Sequence, residues 1–431
     1  MCKLKIICYL ISILFFILNT PSSYSRSKKS MQLASYNIND YSKPFNTYSW
    51  LVAHNAYSND NIFSNQYGLP IAEQLKYGVR GFMLDIYDYN NSINLCHKSC
   101  YLSNYGKFFE ALSYSILPFL RENPREIVTI FLEDHSSREL LENELKKVFA
   151  LDEIIFNPQS WSQHVNWPTL EELIKKNQRL FIITDNKNNS GYYEFDNKEI
   201  HLLFGQDISV ENYWSLGDTY LSHNYNCVSR WPNIPLSTKK SSIFYNEWDR
   251  LVVMNQFHGI PFYPHSETDN KFRALYQREQ KYCYPETQRA PNFVAVDNVT
   301  SGEAKQYIQW LNEGGLLFFK NITFDAEELV CGIPIQKNTY VDLAKIGCDQ
   351  TLRGVKINKL KRGTVIRLYD KSYQFQNKEY VEIQIKSHFE TDEEFYIDLD
   401  NFDFENSYYK YTYFGNKPGK KKFQKMTIII P

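Results

Sequence analysis

The chain has no surplus of charge of either sign. Its 431 residues carry 48 Lys and Arg against 49 Asp and Glu, a formal net charge of −1. That balance argues against a nucleic-acid partner and against an electrostatic hold on anionic membranes. Long apolar runs are scarce: the one at residues 6–18 is short for a transmembrane helix, and no comparable run follows. The paired CxxC spacing of a structural zinc site is missing, and no internal repeat stands out. Aromatic side chains, in contrast, are plentiful, at 16% with 33 Tyr. They fit a sugar-binding or interfacial surface, or mere drift in an Asn-, Lys- and Ile-rich chain; drift is the plainer reading.

At this length the chain can bury a large core and is expected to hold two domains. Lys3 and Lys5 precede the apolar run, and Ser23-Tyr24-Ser25 offers small residues where a signal peptidase cuts. Residues 1–25 therefore read as a secretory signal, with an uncleaved N-terminal anchor as the rival. Export leaves Cys96, Cys100, Cys227, Cys283, Cys331 and Cys348 in an oxidising compartment. An even number there suggests disulfides, with fifteen pairings open in principle. Cys96 and Cys100 are near enough to close a small loop beside His97. Cys227 with Cys283 and Cys331 with Cys348 are the expectation for the others.

From residue 50 onward, apolar runs of strand length alternate with helix-like stretches. Strands are expected at 50–54, 81–87, 93–97, 126–133, 179–185, 251–255 and 292–297, and helices at 70–77, 107–122, 137–149, 169–176, 269–280 and 301–312. Pro70 is placed at the first helical position and Gly78 at the stop. The pattern blurs between residues 186 and 242. Repeated strand–helix units whose strands end in polar residues fit an α/β fold of the TIM-type β/α barrel class, with a doubly wound sheet as the alternative. Past Gly314-Gly315 the texture becomes β-rich, with short runs separated by turn residues. This predicts a barrel over 26–335 and a small all-β, sandwich-like module over 336–431. The piece 363–370 of that module resembles one strand-turn of a βγ-crystallin-like Greek key.

Placing the strands places the chemistry. His54, Asn55, Asp85, His97, Glu133 and Asp297 fall at or just past the carboxyl ends of predicted parallel strands, the face where β/α barrels keep their active sites. Asn55, Asp85 and Glu133 offer oxygen ligands suited to a hard cation such as Ca²⁺ or Mg²⁺. Two histidines beside a cation suit displacement at phosphorus, one taking a proton and the other giving one. A carboxylate behind a histidine would fix its tautomer. Each residue has a plainer role open to it: a salt-bridge partner, a strand-end cap, a structural histidine. Arg230, near Cys227, is a candidate for holding phosphate.

The stretches His54-Asn55-Ala56-Tyr57, Gly78-Val79-Arg80-Gly81-Phe82-Met83-Leu84-Asp85-Ile86-Tyr87-Asp88, Leu95-Cys96-His97, 126–134, 177–184 and 291–297 occur in order within residues 46–313. Together they resemble the X region of phosphatidylinositol-specific phospholipase C, and most closely the secreted-type X-domain-containing phosphodiesterase-like proteins. The resemblance implies a β/α barrel with His54 as general base, His97 as general acid and Asp297 as the carboxylate pairing with the base. It implies attack by an inositol 2-hydroxyl to give a cyclic phosphodiester. Asn55, Asp85 and Glu133 match three metal positions of the calcium-using relatives, but Met83 stands where those have their first Glu. Calcium-independent bacterial relatives have Arg where this chain has Asp85.

The reading that follows is a secreted phosphodiesterase cleaving a phospholipid-type phosphodiester, assisted by Ca²⁺ or Mg²⁺, at a membrane surface if the substrate is a lipid. The alternative is a catalytically quiet barrel that binds carbohydrate or a cell surface, with a glycan or surface ligand for the C-terminal module.

Overall fold

The computed structural model describes residues 38–195, 198–243, 248–335, 339–348, 351–370, 379–387, 395–401, 403–415 and 423–431. The expected signal segment, 1–25, lies outside them. Eight strands run parallel in chain order: β1 (Trp50–Ala53), β2 (Gly81–Tyr89), β3 (Val128–His135), β4 (Leu180–Thr184), β5 (Lys198–Phe204), β6 (Ser209–Glu211), β7 (Leu251–Gln256) and β8 (Phe293–Val296). β1 through β5 pair in succession, as do β6 through β8. β8 then returns to pair with β1, Trp50 opposite Phe293 and Ala53 opposite Val296. Among the described residues no pairing joins β5 to β6, so the succession has one seam. The fold of this part is mixed α/β.

The strand sequences explain the arrangement. β1, β4 and β8 are buried at every position, as continuous apolar runs are when both faces of a parallel sheet are covered. Gly81 opens β2 opposite Val52, where a Cβ would lie 2.5 Å from Val52 Cγ2. A larger residue there would force the Val52 side chain to shift. The helix leading into it, Ile71–Tyr77, stops at Gly78 in the left-handed region, φ 117°. Pro70 is its N-cap residue, one place earlier than expected. Thr169 and Glu172 close a reciprocal capping box at the start of Leu170–Lys175. The helix expected at 269–280 starts later, at Phe272–Arg278, and a separate helix, Tyr263–Asp269, precedes it, with Asn270 at the break. Asn270 instead donates to the carbonyls of Asp297, Asn298 and Ser301, anchoring the end of β8.

Among the described residues, ten further strands past residue 314 form two antiparallel sheets. One has the order Leu329–Pro334, Gly315–Phe319, Gly354–Asn358, Phe395–Asp398. The other has the order Thr339–Asp342, Phe423–Ile429, Val365–Asp370, Tyr380–Ile385, Tyr409–Phe414, Phe404–Glu405. They share one core, in which Phe318, Val355 and Ile397 of the first meet Leu368, Ile383 and Met426 of the second. Strands 315–319 and 329–334 lie before residue 336, where the module was expected to begin, yet they bond to the C-terminal sheet. Their alternation gives the reason. Leu317, Phe319 and Leu329 face the core of the α/β part, while Leu316, Phe318, Cys331 and Ile333 face the second core. Both faces are therefore apolar, as in a parallel strand. Gly332 completes the packing, since any Cβ there would collide with the Phe272 ring.

The cysteines pair as expected: Cys96–Cys100, Cys227–Cys283 and Cys331–Cys348, with Cα separations of 5.0, 5.0 and 5.7 Å.

Candidate active site

His54 follows β1 directly, and its N–H still donates to Val296 O on β8, so the backbone is held by the sheet at the point where the ring emerges. Asn55 then turns in the left-handed region, φ 41°, a conformation Asn tolerates better than most residues. Gln66 locks the turn by donating to both His54 O and Val296 O. On β8 the residue after Val296 is Asp297, whose Oδ1 lies 2.9 Å from His54 Nδ1 and accepts from Asn65 Nδ2 at 2.8 Å. A carboxylate only accepts, so Nδ1 carries the proton and the Nε2 lone pair is left for the cleft. The ring is held flat against Phe257, centroids 3.4 Å apart and planes within 9°.

His97 arrives by a different route from the one expected. The strand before it, Ser92–Cys96, is not parallel: it folds back antiparallel on the long β2, Leu95 opposite Ile86. The hairpin returns the chain to the level of Asp85 as it reaches His97. There the Cys96–Cys100 disulfide and Ser103 fix the turn; Ser103 Oγ accepts from His97 N and donates to His97 O. Burial holds the His97 imidazole below its ordinary pKa, and the charges of Lys98 and His54 add to this.

His54, Asn55, Asp85, His97, Glu133 and Arg230 all line one cleft of about 190 Å³. Asp297 lies behind His54. Asp85 and Glu133 face each other across β2 and β3. Asp85 is buried, and burial with the neighbouring Glu133 charge pushes its carboxyl well above the usual range. Tyr57, itself pushed up by burial and by Asp85, keeps its proton and donates to Asp85 Oδ2 at 2.8 Å. Glu133 sits nearer solvent, 3.0 Å from His135 Nε2.

Two acids that were not among the expected site residues join them. Asp185 follows β4 and Glu211 ends β6; both line the cleft, and burial raises the Asp185 pKa. Arg230, the candidate phosphate holder, lines the cleft and is paired there with two acids, Nη1 3.1 Å from Glu211 and Nη2 3.2 Å from Asp185. Asp185 was visible as the polar end of a predicted strand. Glu211 lay in the blurred stretch, on a strand too short to show a period. The acids crowded here and the Asn55 amide offer oxygen donors, a set that fits a hard divalent cation at Asn55, Asp85 and Glu133. Met83 lines the same cleft and offers no oxygen.

Comparison with known proteins assigns the chain to a family. The family model PI-PLC X (PI-PLC X 1) matches residues 41–312. A PI-PLC X domain-containing protein of Arabidopsis thaliana is 32% identical over 272 residues, 59% of this chain and 58% of its own length. An uncharacterized secreted protein of Arthroderma benhamiae is 28% identical over 251 residues, 56% of this chain and 54% of its own. The chain spans little more than half the length of these curated relatives. Among solved structures, the phosphatidylinositol-specific phospholipase C of S. aureus aligns with 62% of this chain and 94% of its own at 14% identity and a TM-score of 0.35. S. officinalis PLC21 aligns with 93% and 49% at 12% identity and a TM-score of 0.38. With the family model matching well over half of its residues, the chain belongs to the PI-PLC X domain family.

Proposed function

We propose that this protein is a secreted phosphodiesterase that cleaves a phospholipid-type phosphodiester by paired-histidine acid–base catalysis, on a β/α barrel left open at the β5–β6 seam. The observation that carries the reading is the His54–Asp297 dyad, 2.9 Å apart, with His97 on the same cleft. A hydroxyl next to the phosphate, as in an inositol headgroup, attacks phosphorus and gives its proton to His54 Nε2. The bond to the leaving alkoxide breaks as His97 protonates that oxygen, and a cyclic phosphodiester forms. Water then opens the ring with the two roles exchanged. Asp297 holds the His54 tautomer and offsets the charge the ring acquires.

Asn55, Asp85 and Glu133 would hold Ca²⁺ or Mg²⁺. Such an ion supplies charge stabilisation at the non-bridging phosphate oxygens. Met83 removes one anionic ligand relative to the calcium-using relatives, so affinity should be modest. Export is supported by the basic and apolar N-terminus and by three disulfides. A catalytically quiet, surface-binding role draws its support from the same Met83. One assay separates the two readings. Phosphatidylinositol, sphingomyelin and lysophospholipid are offered with and without EDTA, and cyclic phosphate is read by ³¹P NMR. Turnover lost in both His54→Ala and His97→Ala supports the enzyme; no turnover of any substrate by the wild type supports the quiet scaffold.

A further inference from the structure

A second cluster of histidine and carboxylate adjoins the cleft, whose wall includes His258, and takes no part in the chemistry above. His223, His258 and Asp269 each offer one ligand atom, and these atoms lie within 4.8 Å of one another. Asp269 ends the helix Tyr263–Asp269, with Oδ1 2.9 Å from His223 Nε2 and Oδ2 3.2 Å from His258 Nε2. The two rings meet edge to face, centroids 4.9 Å apart. His258 is only 4% exposed, and its Nδ1 is buried with no hydrogen-bond partner. The His223 side chain is 28% exposed, so the cluster opens to solvent at His223.

We propose that His223, His258 and Asp269 bind a divalent transition metal of the zinc class, at a site separate from the carboxylates of the cleft. Two imidazoles and one carboxylate are a borderline-soft donor set that zinc takes tetrahedrally, with water in the fourth place; Ca²⁺ prefers oxygen throughout. Bonds of about 2.0–2.2 Å set tetrahedral ligand atoms about 3.3 Å apart. The short gaps run to different oxygens of Asp269, 2.9 Å from His223 to Oδ1 and 3.2 Å from His258 to Oδ2, and the three ligand atoms lie within 4.8 Å, so a small turn of the carboxylate and of the more exposed His223 ring brings them to that spacing. Binding a metal through Nε2 requires each imidazole to be neutral, with its single proton on Nδ1 and the Nε2 lone pair facing the metal.

The ligands come from three places in the chain: the stretch between β6 and β7, the segment just after β7, and the following helix. The first of these also carries Cys227 and Arg230, and His258 follows Phe257, the residue stacked on His54. The metal therefore works as a clamp that ties the 212–243 stretch to the wall of the cleft.

The test uses the full chain, stripped with chelator and titrated with Zn²⁺, and with Co²⁺ as a spectroscopic probe. One equivalent should bind at this site, and it should persist in the Asp85→Asn, Glu133→Gln variant, the Co²⁺ form showing the visible absorption of a tetrahedral nitrogen–oxygen site. Losing one ligand should cost at least the 10–100-fold seen when an outer-shell partner is lost, so His223→Gln and His258→Gln should each weaken Zn²⁺ by that much or more. The double variant Asp85→Asn, Glu133→Gln should leave it unchanged. His223→Gln changes a ring at the solvent-open edge, which keeps the test independent of folding. Absence of Zn²⁺ binding at micromolar metal would overturn the proposal. So would binding that is unaltered in His223→Gln, or that is lost with the cleft carboxylates.

Discussion

Replacing Asp297 by Asn isolates what the carboxylate does for His54. Its Oδ1 accepts from His54 Nδ1 at 2.9 Å and from Asn65 Nδ2 at 2.8 Å. Asn65 is a donor, so the new amide should keep its oxygen on that side and its NH₂ away. The His54 tautomer is then preserved, and only the negative charge is lost. A unit charge about 4 Å from the imidazolium is worth about 4 kcal/mol at an effective dielectric of about 20. If all of it acts on the protonated ring in the transition state, kcat falls roughly 10³-fold, since each 1.36 kcal/mol is tenfold. Asp297→Ala, which also frees the ring to turn, should be worse. The assay is kcat for cyclic phosphate formation, with melting temperature and near-ultraviolet circular dichroism as folding controls. A folded Asp297→Asn protein with wild-type kcat would refute the reasoning.

Other expectations follow from particular contacts. Because burial and the Lys98 and His54 charges hold His97 below its ordinary pKa, the protonated acid is lost early as pH rises. The alkaline limb of kcat/KM in the free enzyme should lie below the ordinary histidine value of about 6.5, and Lys98→Ala should move it to higher pH; a limb that ignores Lys98 contradicts the assignment. Gly81→Ala places a Cβ 2.5 Å from Val52 Cγ2 and should cost about 1–3 kcal/mol in urea unfolding, with part regained on adding Val52→Ala. Opening Cys227–Cys283, 56 residues apart, should cost about 4 kcal/mol by loop entropy, against about 2 kcal/mol for Cys96–Cys100, which are 4 apart. Activity should show the opposite order, since the smaller loop positions His97; kcat and unfolding free energy measured on both double Ser variants decide it.

How much of this could be read in the sequence depends on where each residue's information lies. His54, Asp85 and Asp297 stand at the ends of apolar runs, so periodicity alone placed them on one edge of a parallel sheet, and the cleft does collect them or back onto them. His97 was legible as a strand end, but its route was not, because nothing in 93–97 distinguishes a returning hairpin strand from another parallel one. Glu211 was invisible, since β6 is three residues long and its identity as a strand exists only through pairing with β7. His223 and His258 sit in loops with no period, and Asp269 reads as the first residue of a helix; their meeting is a property of the folded chain. The strand Gly315–Phe319 misled for the opposite reason. It reads as covered on both faces, and it is, but between two cores rather than within one.

The central claim is that His54 and His97 act together on one phosphodiester. The most direct test is ³¹P NMR of phosphatidylinositol incubated with the wild type and with His54→Ala and His97→Ala, each checked for native folding. The cyclic phosphate resonance should grow with the wild type and be absent with either variant. A cyclic product forming at an undiminished rate without one of the two rings would contradict the account.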